Sequence, residues 1–272
     1  MPPLPLFIVD AFTAAPFRGN PAAICFLDQQ RSDSWHQALA AEMNLSETAF
    51  LMQRPDGAFD LRWFTPTVEV SMCGHATLAA AHALWESNRL ASDRPARFHT
   101  KSGLLTVARR GEFLEMDFPA KPVEPAEAPF DLLEALAVRP SFVASNAMDY
   151  LLELESESTV RSLRPDFARL AKLPVRGTMV TARATDGSAD FVSRFFAPGA
   201  GIMEDPVTGS AHCALGPYWG KKLGKTELIG HQISPRGGIV HIRLANERVL
   251  LTGQAVTVVR GELSESALQF CA

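Results

Sequence analysis

Apolar, β-branched and aromatic residues gather along this chain in short runs more often than they recur every third or fourth residue. That pattern predicts a protein built mainly from β-strands. Leu6–Phe12, Ala22–Leu27, Thr48–Met52 and Asp60–Phe64 are rich in apolar, β-branched and aromatic residues and are bounded by Gly, Pro, Asn or Asp. Ser34–Met43 is different: Trp35, Leu39 and Met43 recur every four residues, the spacing of one helical face. Strands are expected again at Arg97–Arg109 and Glu112–Phe118. Ala120–Pro129 follows, with Pro122, Pro125 and Pro129 and no apolar period, and reads as an interdomain connection. Beyond it the pattern predicts strands around Ser141–Val143 and Tyr150–Glu155, and a helix around Arg164–Leu173. Strands at Thr178–Ala184 and Asp190–Phe196 and a run of strands from Gly238 to Arg260 complete the expectation.

An internal echo organises these elements. Arg62-Trp63-Phe64-Thr65-Pro66 is matched by Arg194-Phe195-Phe196-Ala197-Pro198, and Gly74-His75-Ala76 by Gly209-Ser210-Ala211. Each glycine opens a run of small apolar residues ending near Leu84-Trp85 and Tyr218-Trp219. A helix apolar nearly all round is a buried one, and Thr77–Trp85, with four alanines, is thin enough to be enclosed by strands. The expectation is an α+β protein of two related lobes, each a curled sheet around a central helix. Residues 1–119 would form the first lobe, with about 256–272 a candidate to complete it, and residues 120–255 the second.

Charge and composition narrow the function. Lys plus Arg number 26 and Asp plus Glu 30, a formal net charge of −4, which lacks the basic excess a nucleic-acid footprint needs. No apolar stretch approaches the ~20 residues of a membrane span, and no basic residue precedes the first apolar run, so the expected setting is cytoplasmic. The four cysteines, Cys25, Cys73, Cys213 and Cys271, form no C-x-x-C pair. Buried reduced thiols are the expectation for all but Cys73, which directly precedes Gly74.

The candidate chemistry gathers at the two glycine-led helix starts. A helix N-terminus offers unpaired N–H donors and about half a positive charge, and glycine admits close approach of a ligand. Two such starts facing one another would hold a small anion, most simply a carboxylate; two ordinary buried starts are the structural alternative. Glu47, between a helix and an apolar strand, is a solvated charge in one reading. In the other it enters an apolar cleft, where desolvation raises its pKa and suits it to proton transfer. His75 at a helix start favours the neutral imidazole. Asp205 and Ser210 flank the second start, where Asp and Thr are also ordinary caps. Nucleotide-cradling G-x-G-x-x-G and G-x-x-x-x-G-K-[ST] motifs and the nucleophile elbow G-x-S-x-G are absent, and no ligand set stands at metal spacing. The expected site works by proton transfer without metal or cofactor.

Four ordered motifs carry a resemblance. Val9-Asp10-Ala11-Phe12 with Gly19-Asn20-Pro21-Ala22, then Asn44-Leu45-Ser46-Glu47-Thr48, Cys73-Gly74-His75-Ala76-Thr77 and Glu204-Asp205-Pro206-Val207-Thr208-Gly209-Ser210-Ala211 resemble the phenazine-biosynthesis isomerase (PhzF-like) family. The resemblance implies the diaminopimelate-epimerase-like fold, two pseudo-symmetric lobes each a β-barrel around a central helix, with the active site in the cleft between them. It implies that Glu47 is the acid/base and that His75, Asp205 and Ser210 position substrate and assist proton movement. Amides at Gly74–His75 and Gly209–Ser210 would cradle the carboxylate of a small cyclic substrate, in a protein working as a homodimer. Related epimerases and racemases of this fold place a cysteine on each lobe. Here Cys73 stands before Gly74 but Thr208 before Gly209, and a hydroxyl is a far weaker base than a thiolate. A one-thiol epimerase or dehydratase and a non-catalytic small-acid binder are the rival readings.

Overall fold

The computed structural model describes residues 3–270. In chain order the elements are β1 (Pro5–Ala11), β2 (Asn20–Leu27), α1 (Asp33–Met43), β3 (Glu47–Gln53), β4 (Phe59–Phe64), β5 (Glu69–Val70), α2 (Gly74–Glu86), β6 (Ala96–Thr100), β7 (Gly103–Arg110) and β8 (Phe113–Pro119). They continue with β9 (Glu124–Pro125), α3 (Phe130–Leu136), β10 (Phe142–Ser145), β11 (Asp149–Glu153), α4 (Glu157–Ser162), α5 (Phe167–Leu170), β12 (Gly177–Arg183) and β13 (Phe191–Ala197). The last are β14 (Ile202–Asp205), α6 (Gly209–Leu223), β15 (Glu227–Gln232), β16 (Gly238–Ala245), β17 (Arg248–Gly253), β18 (Ala255–Glu262) and α7 (Glu265–Leu268). The chain divides into two compact units, Met1–Asp117 with Thr252–Ala272, and Phe118–Leu251.

In the first unit the ladder runs β18–β1–β2–β3–β4–β6–β7–β8. β2/β3 and β4/β6 are parallel and the other pairs antiparallel. A parallel pair needs a long crossover, and α1 and α2 supply the two. α2 touches β1, β2, β3, β7 and β18, strands from both ends of that order, so the sheet curls around it. Its alanines, with Thr77 and Leu78, are buried and leave room for strands on every side. Among the described residues no ladder joins β8 to β18, so the sheet is curled but open where the resemblance implies a barrel. On the outer face α1 sets Trp35, Leu39 and Ala40 against Phe50 and Phe64. Ser32 caps it by accepting from Trp35 N at 3.2 Å.

The second unit repeats the scheme. β9–β10–β11–β12–β13–β15–β16 follow one another, with β11/β12 and β13/β15 parallel, crossed by α4–α5 and by α6. α6 lies against β15 and β16. Its Trp219 stacks on Phe191 of β13, centroids 5.7 Å apart, and donates to Thr181 Oγ1 of β12 at 3.0 Å. Glycine is required here for closeness: a Cβ on Gly220 would lie 2.4 Å from Leu244 Cδ1. Leu132, Leu136, Leu154, Val160, Leu170 and Phe196 build the core beneath α3–α5.

The sequence echo has a mechanical meaning. Arg62 stacks over Phe64 at 5.0 Å and clasps Glu69 of β5 through two bonds of 2.8 and 2.9 Å. Arg194 stacks over Phe196 at 4.9 Å and clasps Glu204 of β14 at 2.7 and 2.8 Å. Each clamp ties the short strand leading into a central helix to the sheet, and Arg62 holds the Glu69 carboxyl down at about 2. The three extra residues in the second repeat are one in the turn after Pro198 and two in β14.

Several expectations need correction. Arg97–Arg109 is two strands, because Lys101–Ser102 turn into Gly103, whose φ is +98°. The helix expected over Arg164–Leu173 shrinks to α5, since Pro165 breaks it and Asp166 caps the new start by accepting from Arg169 N at 3.0 Å. α3, α4 and β15 were not foreseen. Ala120–Pro129 is no free connector. Ala120 N donates to Glu247 O at 2.8 Å, Lys121 N to Cys213 O at 2.9 Å, and β9 pairs with β10 at an edge, where Pro125 is tolerated. Cys25, Cys73 and Cys213 are buried free thiols, and burial pushes Cys25 and Cys213 up to about 12. Cys271 lies outside the described residues.

Candidate active site

In the first unit, Glu47 opens β3 and is only 8% exposed, while His75 is the second residue of α2. Parallel pairing of β2 with β3 sets Ala22 beside Glu47 and so brings the start of β2 alongside. His75 Nε2 lies 3.3 Å from Glu47 Oε2. On the other side of the ring, Nδ1 meets Asn20 Nδ2 at 3.1 Å and Cys73 Sγ at 3.4 Å. The turn delivering Asn20 needs glycine: Gly19 has φ +64°, and a Cβ there would sit 2.1 Å from Ala11 O. Burial pushes the His75 imidazole down to about 3, so it is neutral at physiological pH. Asn20 Nδ2 and Cys73 Sγ both lie against Nδ1, and Nε2 faces Glu47.

The second unit builds a matching but different cluster. Thr208 Oγ1 donates to Asp205 Oδ2. Gln232, buried at the end of β15, accepts from Thr208 N at 2.8 Å and donates to Asp205 O at 2.6 Å. Ser210, second residue of α6, accepts from Arg176 Nη1 at 2.8 Å. Arg176 is held by the buried Asp149, with Nε 2.9 Å from Oδ1 and Nη2 bonded to Oδ2. With its oxygen accepting from Arg176, the Ser210 hydroxyl directs its proton elsewhere.

Neither central helix carries a side-chain cap: Cys73 and Thr208 make none, whereas Ser32, Ser156, Asp166 and Ser264 each cap α1, α4, α5 and α7. α3, which follows Pro129, likewise has none.

Of the residues singled out from sequence, Glu47, Cys73, Gly74 and His75 come together in the first unit, and Asp205, Thr208, Gly209 and Ser210 in the second. Asn20 lay inside a quoted motif without a role. Arg176, Asp149 and Gln232 were missed, because each acts through a partner 24 to 34 residues away and no local motif announces them. The expectation of no ligand set also needs amending. Glu47, Cys73 and His75 offer carboxylate, thiol and imidazole atoms all within 4.8 Å of one another. No helix among the described residues is long and apolar enough to cross a membrane.

The family profile described as phenazine biosynthesis-like protein matches residues 9–261. The chain is 51% identical over 260 residues to an uncharacterized isomerase of Halalkalibacterium halodurans, covering 95% of this chain and 98% of that one. It is 41% identical over 286 residues to the mouse phenazine biosynthesis-like domain-containing protein 2, covering 96% and 99%. Among solved structures, the phenazine biosynthesis protein of the PhzF family from Enterococcus faecalis superimposes with a TM-score of 0.91 at 40% identity, covering 96% and 99%. A probable proline racemase from Agrobacterium radiobacter shares the fold at a TM-score of 0.65 and 13% identity, covering 99% and 96%. The chain belongs to the phenazine biosynthesis-like family and stands among its isomerases.

Proposed function

We propose that this isomerase moves a proton within a small, carboxylate-bearing, cyclic substrate, with Glu47 as the acid/base. The observation that carries the reading is the buried Glu47–His75 contact, 3.3 Å long, at the uncapped start of α2. The Glu47 carboxylate takes a proton as one C–H bond of the substrate breaks. The electron pair shifts along the conjugated system, and the same proton is returned to a second carbon, so nothing is gained or lost overall. Neutral His75 faces the carboxylate across 3.3 Å and limits its movement. The uncapped amides of Gly74–His75 and Gly209–Ser210 are the proposed binding groups for the substrate carboxylate, with Ser210 and Asp205 orienting the ring. The resemblance supports a homodimer, which sedimentation would test, and the proposed cytoplasmic setting is tested by localisation.

Proton NMR in D₂O, with dihydro-hydroxyanthranilate as first substrate, tests the reading. The wild type is expected to isomerise it, any deuterium in the product marking exchange of the shuttled proton with solvent, and Glu47→Gln to fold but lose ~10²–10⁴-fold in rate, the range of a lost general acid/base. Retained turnover in Glu47→Gln removes Glu47 from the chemistry. The 3.4 Å contact of Cys73 Sγ with His75 Nδ1 favours a second reading, a one-thiol epimerase or dehydratase; Cys73→Ser would then lose as much rate as Glu47→Gln.

A further inference from the structure

We infer that the Glu47–Cys73–His75 cluster is a binding site for one borderline-soft divalent cation, zinc above all. The site supplies one sulfur, one imidazole nitrogen and one carboxylate, with all three ligand atoms inside 4.8 Å. A tetrahedral zinc with bonds of about 2.0–2.3 Å sets its ligand atoms roughly 3.3–3.6 Å apart. The cluster already holds Cys73 Sγ 3.4 Å from His75 Nδ1 and Glu47 Oε2 3.3 Å from His75 Nε2. One ion takes a single ring nitrogen: at Nε2 it has Glu47 at tetrahedral spacing already, and Cys73 Sγ, inside the 4.8 Å cluster, swings in by rotation about its Cα–Cβ bond. The His75 ring is only 5% exposed, and its Nε2 has no well-aligned hydrogen bond despite facing Glu47. A metal uses such a group readily.

The chemistry selects the metal. Calcium and magnesium need six or more oxygens, and here one residue supplies oxygen. A thiolate, an imidazole and a carboxylate match zinc or cobalt(II), leaving a fourth position open. As the metal–sulfur bond forms, the Cys73 thiol proton passes to solvent. Thiolate and carboxylate then offset the two positive charges, which makes a buried cation tolerable. Occupancy ties up Glu47 and His75 together. On the functional reading above the bound metal is therefore an inhibitor that competes with substrate; the binding itself stands apart from that reading.

Titration of the full-length, metal-free protein with cobalt(II), then zinc, tests this. Expected is one equivalent bound, with a near-ultraviolet thiolate-to-cobalt charge-transfer band and visible bands of four-coordinate intensity, bleached by zinc. Cys73→Ser should abolish the charge-transfer band and weaken binding by more than the ~10–100-fold typical of losing an outer-shell partner. Glu47→Gln, a second probe should Cys73→Ser fold poorly, should keep the band and bind more weakly. Absence of the band in the wild type, or its survival in folded Cys73→Ser, overturns the inference. These readouts need no turnover, so an enzyme inactive on every substrate tried would still decide the matter. Turnover insensitive to zinc while the band is present would sever the site from the catalytic pair.

Discussion

The two units share one topology but hold different chemistry at matching positions. Thr48 pairs with Phe64 in the first unit as Thr178 pairs with Phe196 in the second, so Glu47 corresponds to Gly177. At the acid's counterpart there is no room for any side chain: a Cβ on Gly177 would lie 2.4 Å from the Phe195 ring and 2.9 Å from Phe196 O. Cys73-Gly74-His75 likewise corresponds to Thr208-Gly209-Ser210, at the starts of two helices that both lack a side-chain cap. One repeat keeps a buried carboxylate beside a neutral imidazole. The other keeps a serine hydroxyl oriented by the Arg176–Asp149 pair. Both copies keep a helix start without a side-chain cap, while only the first sets a buried carboxylate beside a neutral imidazole.

The largest expected effect breaks this division of labour most directly. Substitutions at Glu47 should lower kcat by ~10²–10⁴-fold. Ser210→Ala, which on the proposed function removes a substrate contact, should act mainly by raising KM; steady-state kinetics on both variants would refute the division if Ser210→Ala reduced kcat as severely as Glu47→Gln.

Next come the paired clamps. Arg194 is 8% exposed and also donates to Val160 O and Leu163 O at 3.2 and 3.1 Å, whereas Arg62 is 28% exposed. Removing one partner of a buried pair costs about 3–5 kcal/mol and of an exposed pair about 0–1 kcal/mol. Arg194→Ala should therefore destabilise the protein well beyond Arg62→Ala in denaturant titration, and equal losses would mean the clamps are equivalent. Gly177→Ala should cost about 1–3 kcal/mol by overpacking against Phe195. A neutral result there would show that the second unit can yield space for a side chain after all.

A last effect, seen only on acidification, is one the units share. Burial holds His75 at about 3 and His212 at about 4, against an ordinary 6.5. Between those values the unfolded chain binds protons that the folded chain refuses, so stability is full above about 6.5 and falls as pH drops toward 3–4. Melting temperature against pH should show that acid decline, shallower in His212→Gln. An unchanged slope would indicate that His212 does not titrate on unfolding.

Much of this was legible along the chain because its causes are local. The short apolar runs, the alanine-rich helix following Gly74 and the paired Arg-x-Phe echoes announce the two-unit plan through burial and repetition. Errors fell where a single residue or a tertiary contact outweighed pattern. Gly103 split one expected strand, Pro165 cut a helix, and edge pairing absorbed the proline-rich stretch at Glu124–Pro125.

What the sequence determined by itself was therefore the strand-and-helix alphabet, its duplication and the motif residues Glu47, Gly74, His75, Asp205, Gly209 and Ser210. Only the tertiary structure decided which of these touch. It set Asn20 on His75, Arg176 with Asp149 behind Ser210, and Gln232 across the loop before α6. It also gathered Glu47, Cys73 and His75 into one cluster. The physical reason is that strand register and helix entry are fixed by burial summed over a whole unit. A contact between residues tens of positions apart leaves no periodicity in the chain for a local reading to find.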